Sequence, residues 1–134
     1  MIIGIGLDLV ELSRIRAIYN KFGNRFSGKI LTPGELAGLP PDPVAYLGSR
    51  FAAKEAGVKA LGTGFALGVT LQNLEIISNH LGKPELFFSG AAGLRAAQMN
   101  VHRIHLSISH GRDTAVALVI LETSVNFQLP GGGQ

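Results

Sequence analysis

The sequence predicts an α+β fold: a single compact domain with a small, mainly antiparallel sheet packed against a long central helix and shorter helices. Three segments predict it. Residues 2–8 form an apolar run that reads as a buried strand, the stretch between Asp42 and Gly62 keeps helical periodicity, and residues 103–121 read as a hairpin. At 134 residues the chain suits one domain.

In the first strand Ile3, Ile5 and Leu7 point one way, and Ile2, Gly4, Gly6 and Asp8 the other. The Asp8 face is partly bare, and glycine inside a strand marks close approach of another backbone or a ligand. Leu12, Ile15, Ile18, Tyr19 and Phe22 then recur at helical spacing and predict a helix over 9–22. Thr32, Pro33 and Glu35 have the order of a capping box and predict a short second helix. Asp42 caps the third and longest helix, Pro43 opens it and Gly62 closes it. Beyond a glycine-rich loop at 62–68, residues 71–78 and 85–88 read as strands around a Gly82-Lys83-Pro84 turn, and 90–99 as a small helix after Ser89. The closing hairpin has strands 103–109 and 114–121, the second apolar on both faces, which places it centrally or in an interface. Residues 123–134, ending Pro-Gly-Gly-Gly-Gln, read as a flexible tail.

Hydrophobic residues make up 46% of the chain against 16% charged, a surplus that a subunit interface would absorb. Net charge is +3 and the pI about 9.6. Arg14, Arg16, Lys21, Arg25 and Lys29 fall in one stretch with no acid between them. Such a run fits an acidic protein, a nucleic acid or a polyphosphate, or else a solvated helix face. There is no cysteine, which excludes disulfides and thiolate metal sites. No apolar run reaches the ~20 residues of a membrane span, and no basic segment precedes the N-terminal apolar stretch, so a cytoplasmic location is expected.

Two carboxylates stand where a fold resists them. On a helical wheel Val44, Leu47, Phe51 and Val58 define an apolar stripe, and Glu55 falls inside it. A buried carboxylate needs a partner or a metal. One reading pairs Glu55 with Lys59 at i,i+4; the other makes Glu55 a functional acid, with Lys59 beside it. Asp8 likewise fits either a helix N-cap with Glu11 at the capping-box position or a ligand-binding acid at a strand end. Magnesium needs only one or two carboxylates when phosphate and water fill its other positions. His110 ends the Ser107-Ile108-Ser109-His110 run as either a surface histidine or a ligand, and His80, His102 and His105 show no metal spacing with it. No glycine-rich nucleotide fingerprint is present. A basic module binding nucleic acid is the rival from another class, but no aromatics interleave with the basic run for stacking.

Taken together these residues resemble the holo-[acyl-carrier-protein] synthase family, the small trimeric class of 4′-phosphopantetheinyl transferases. The resemblance covers residues 1–122. It rests on Gly4-Ile5-Gly6-Leu7-Asp8-Leu9-Val10-Glu11 with Arg14, on Arg50-Phe51-Ala52-Ala53-Lys54-Glu55-Ala56 with Lys59, and on Gly62-Thr63-Gly64, Gly82-Lys83-Pro84 and Ser107-Ile108-Ser109-His110 in the family's order. It favours the chemical reading of both acids. It implies that a serine of apo acyl carrier protein attacks the β-phosphate of coenzyme A and that 3′,5′-ADP leaves. By resemblance, Asp8 and Glu55 hold Mg2+ at the pyrophosphate and Lys59 stabilises the leaving phosphate. By resemblance, Glu55 acting through a metal-bound water would be the favoured base, with Asp8 the alternative. His110 and Gly62, Thr63 and Gly64 would line the coenzyme A pocket, with Lys83 and Pro84 at its adenine end. Arg14 matches the carrier-docking position, and charge alone adds Arg25 and Lys29. The resemblance also implies a homotrimer with active sites at subunit interfaces. Carrier domains of polyketide or peptide synthases are the alternative substrates within the same chemistry.

Overall fold

The computed structural model describes residues 1–124. Strand β1 (Ile2–Glu11) leads into α1 (Leu12–Phe22), α2 (Asn24–Ile30) and α3 (Pro33–Leu36), then the long α4 (Val44–Leu61). A 3-10 turn (Leu71–Asn73) precedes β2 (Leu74–Ser78) and β3 (Pro84–Phe88); α5 (Gly90–Gln98), β4 (Arg103–His110) and β5 (Thr114–Glu122) complete the order. All strand pairs are antiparallel, in a three-stranded sheet ordered β1-β5-β4 and a two-stranded β2-β3 hairpin. The predicted α+β architecture therefore holds.

Helix α4 crosses the inner face of the larger sheet. Gly4 and Gly6 make that crossing close: a Cβ on Gly6 would strike the Ala56 carbonyl oxygen, and one on Gly4 the Ala60 carbonyl oxygen. These strand glycines thus accommodate another backbone, the first of the two alternatives. Ala115, Ala117, Val119 and Leu121 of β5 supply the buried floor beneath them. On the outer face Ile5, Leu7 and Leu9 are 60%, 59% and 59% exposed. They pair with Ile120, Leu118 and Val116, so the apolar surplus forms a continuous patch.

Several boundaries differ from expectation. The first strand runs on to Glu11 and α1 starts at Leu12, so Asp8 lies inside a strand and caps no helix. A register shift between Ile2 and Gly4 breaks the simple alternation. Residues 71–73 form the 3-10 turn rather than strand. The Thr32–Glu35 capping box is present, the Asp42 carboxylate accepts the Val44 amide at 3.3 Å, and Gly62 closes α4 in the left-handed conformation at φ 76°. Thr123 belongs to the domain, since it is buried and exchanges backbone hydrogen bonds with Met1. Of the expected tail, residues 125–134 lie outside the described residues.

The predicted stripe on α4 is too narrow. The helix is buried on most sides, because Ala52, Ala53, Ala56 and Ala60 pack inward along with Val44, Leu47 and Val58. Lys54 is fully buried too, paired at 2.7 Å with the equally buried Glu35. Burial pushes the Lys54 ammonium below its ordinary value, and Glu35 opposes that shift.

Candidate active site

Asp8 shares the inward side of β1 with Gly4 and Gly6, which lets α4 bring its own polar residues up to the strand. Lys59 Nζ donates to Asp8 Oδ1 at 2.9 Å and to the Leu7 carbonyl at 3.0 Å. The Glu55–Lys59 pair, one of the two readings of Glu55, does not form; the lysine turns to the strand instead. Its hydrogen bond to Asp8 holds the ammonium above its ordinary value.

Glu55, one turn before Lys59, is half-buried and has no hydrogen-bond or ion-pair partner among the described residues. Burial, and then the negative charge of Asp8, push its carboxyl above the ordinary value, with Lys59 pulling the other way. Asp8 and Glu55 line one cleft of about 530 Å³, together with Glu11, Arg14 and Phe51. A half-buried carboxylate without a partner, repelled by a second carboxylate, is electrostatically arranged for a cation. Among the described residues no group of three or more His, Cys, Asp or Glu side chains is placed to hold a metal alone. A dication here would therefore take remaining ligands from water or a bound phosphate, as magnesium does.

The cleft continues into a groove of about 620 Å³ along α1 and α2, sharing Ile18 and Phe26 and adding Phe22, Arg25 and Lys29. Arg14, Arg25 and Lys29 thus lie along one surface that leads to the two acids. The basic run is legible in the sequence; the apolar members of the groove are not, because Ile18 and Phe22 read as the apolar side of a helix and Phe26 carries no local signal.

The other expected site residues lie elsewhere. Pro84 and His110 line a separate depression of about 380 Å³ with Gly82, Tyr46, Ser49 and Arg50. Lys83 sits between Gly82 and Pro84 in the turn where its amide donates to Asn79 Oδ1 at 3.0 Å. The Arg50 guanidinium stacks 3.9 Å from the Tyr46 ring centroid, and its Nε and Ser49 Oγ are buried without a hydrogen-bond partner among the described residues. Gly62, Thr63 and Gly64 follow the far end of α4, where Thr63 Oγ1 bonds the Gly64 carbonyl at 2.8 Å. The chain therefore unites Asp8, Glu55, Lys59 and Arg14, but keeps His110, Lys83 and Pro84 apart from Gly62–Gly64. Two side chains escaped sequence reasoning: Lys54, whose flanking small residues in the Ala52-Ala53-Lys54 run were the available signal, and Arg50 as a depression-lining group.

Two acids, a lysine and a basic groove are the parts a phosphate-handling transferase requires, and comparison with known proteins agrees. Residues 4–119 match the 4′-phosphopantetheinyl transferase superfamily. The holo-[acyl-carrier-protein] synthase of Maridesulfovibrio salexigens is 54% identical over 123 residues, 91% of this chain and 99% of that protein. The crystal structure of the synthase from Neisseria meningitidis is similar at 45% identity with a TM-score of 0.85, covering 92% of this chain and all of that one. The Bacillus anthracis enzyme in complex with CoA (3′,5′-ADP) is 40% identical with a TM-score of 0.76, covering 92% and 99% of the two chains. The chain belongs to the 4′-phosphopantetheinyl transferase superfamily.

Proposed function

We infer that this protein is a holo-[acyl-carrier-protein] synthase: it transfers the 4′-phosphopantetheine group of coenzyme A to a serine of apo acyl carrier protein and releases 3′,5′-ADP. The observation that carries this reading is the meeting of Asp8, Glu55 and Lys59 on one strand–helix crossing, in a chain that matches the superfamily over residues 4–119.

The serine oxygen forms a bond to the β-phosphorus of coenzyme A while the bond from that phosphorus to the bridging pyrophosphate oxygen breaks. Glu55 is the group for the serine proton, because it has no hydrogen-bond partner among the described residues and burial raises its affinity for protons. Asp8 is less free for that role, being hydrogen-bonded to Lys59. The Lys59 ammonium stays charged and faces the negative charge that builds on the departing 3′,5′-ADP. Asp8 and Glu55 are the residues that would hold Mg2+. Bound there, the ion would supply charge neutralisation for the pyrophosphate.

The α1–α2 groove suits the carrier protein, with Arg14, Arg25 and Lys29 facing acidic side chains and Ile18, Phe22 and Phe26 receiving apolar ones. The Arg50–Pro84–His110 depression suits the adenine and phosphate end of coenzyme A. The exposed Ile5–Leu7–Leu9 patch supports a trimer joined there, in which the depression of one copy would complete the Glu55 cleft of its neighbour. Its two substrates put the reaction in the cytoplasm; no described helix is long and apolar enough to cross a membrane.

The test is intact mass of an apo acyl carrier protein incubated with this protein, coenzyme A and Mg2+, with and without EDTA. A gain of one phosphopantetheine group that EDTA abolishes supports the reaction and the metal together. No gain with several carrier proteins overturns the transferase reading.

A further inference from the structure

The C-terminal end of α2 is tied down by side chains from two other elements. Lys54 Nζ, from α4, donates to the Ile30 carbonyl at 2.6 Å, to Glu35 Oε1 at 2.7 Å and to the Leu71 carbonyl at 3.1 Å. That accounts for all three donors of an ammonium group. Gln72, from the 3-10 turn, donates through Nε2 to the Leu31 carbonyl at 2.9 Å and the Gly28 carbonyl at 3.3 Å. The Gly28 and Ile30 carbonyls are among the last of α2, which have no partner within the helix, and Leu31 is its C-cap. Glu35 extends the clamp, since its Oε1 also accepts from the Thr32 amide at 2.8 Å and its Oε2 from the Ile76 amide at 2.9 Å.

Stability alone is a poor reason for this arrangement, because a buried ion pair is no more stabilising than apolar side chains of similar volume. Its distinctive property is direction. The Lys54–Ile30 bond fixes where α2 ends relative to α4, and the Gln72 bonds hold the same end to the 3-10 turn, whereas apolar packing would leave rotation and slip. Lys54 immediately precedes Glu55, and α2 carries Arg25, Phe26 and Lys29. One helical residue therefore anchors the groove while its neighbour faces the cleft.

We propose that Lys54 and Gln72 are positioning residues that hold the carrier-docking helix α2 in register with Glu55. The proposal rests on the transferase reading above. Loosening the clamp lets the docked carrier protein wander relative to Glu55, without touching the coenzyme A pocket. The carrier KM then rises and kcat falls, while the coenzyme A KM stays unchanged.

Two variants test it. Gln72→Ala removes the partly exposed tether and leaves the core intact. Lys54→Met combined with Glu35→Gln removes the ammonium without leaving a buried charge unpaired. Steady-state kinetics are measured against both substrates, with thermal unfolding and hydrogen–deuterium exchange of residues 24–31 on the same samples. The expected result is a several-fold higher carrier KM for Gln72→Ala, a larger rise for the double variant, faster exchange confined to α2, and no change in coenzyme A KM. A role in stability alone would lower the unfolding temperature and leave both KM values where they were. If Gln72→Ala exchanges faster in α2 yet keeps the parent carrier KM and kcat, the proposal is overturned, whatever the double variant does. If the unsubstituted protein transfers nothing, the transferase reading falls and this proposal with it.

Discussion

Lys59 donates to Asp8 across the β1–α4 crossing, at 2.9 Å, and not to Glu55 on its own helix. The choice divides the labour of the two acids. Asp8 is neutralised by a direct bond, whereas Glu55 has only the through-space pull of Lys59 in a half-buried cleft. A lysine that bridges strand and helix also has half its side chain exposed, so it can turn to an arriving phosphate.

Removal of the Lys59 ammonium should therefore strike turnover. Lys59→Met is expected to lower kcat by about 10²-fold, the scale of losing one preorganised donor at a developing negative charge. The carrier KM should hardly move. Initial rates at saturating and limiting carrier protein separate the two; a change in carrier KM alone would remove Lys59 from the reaction.

Glu55 carries a cost in stability that depends on pH. Its folded-state affinity for protons is raised above the ordinary carboxyl value of 4.5, so the folded form binds protons more tightly than the unfolded form. Stability due to this group falls as pH rises through the ordinary value towards the raised one, and then levels off. Glu55→Gln should accordingly unfold at a higher temperature than the parent at pH 7, the gain shrinking as pH falls from the raised value towards 4.5, while transfer is lost. Calorimetric scans between pH 4 and 7 with EDTA present check it, and a destabilised Glu55→Gln at pH 7 would refute the assignment.

Charge reversal in the groove should act on the carrier substrate. Arg14→Glu is expected to raise the carrier KM by about tenfold or more, since opposed like charges cost on the order of 1.4 kcal/mol or above. The coenzyme A KM should stay put, and added salt should narrow the gap between variant and parent. Equal KM values in both proteins would place docking elsewhere.

Gly6→Ala probes the crossing itself. Its methyl group would collide with the Ala56 carbonyl, which belongs to the helix backbone and has little freedom to give way. A destabilisation of about 3 kcal/mol is expected, read as a lower denaturant midpoint. Gly111→Ala, where a Cβ meets open space, is the control.

Local signals carried most of the fold. The Thr32–Glu35 capping box, the Gly62 stop and the hairpin ending at 121 were legible because each depends on neighbours in sequence. What escaped was non-local. Asp8 had two local readings, and its distance from any helix start became clear only when β1 ran on to Glu11. Lys59 had an acid one turn away and chose another 51 positions distant. Lys54 drew no reading of its own, because nothing in α4 announces a buried carboxylate on α3. The groove was half visible: charges cluster along a sequence, but Ile18, Phe22 and Phe26 form one wall only after α1 and α2 fold together.

The glycine contacts have a mechanical consequence. Ala56 and Ala60 lie one turn apart on α4, and each carbonyl rests against a bare position two residues apart on β1. Two such stops set both the closeness of strand to helix and their relative slide. The interval between the Asp8 and Glu55 carboxylates is thereby gauged by main chain, and not by side-chain packing. Repacking the core around the crossing can soften the protein while leaving that interval unchanged, so melting temperature and cation affinity should vary independently across such variants.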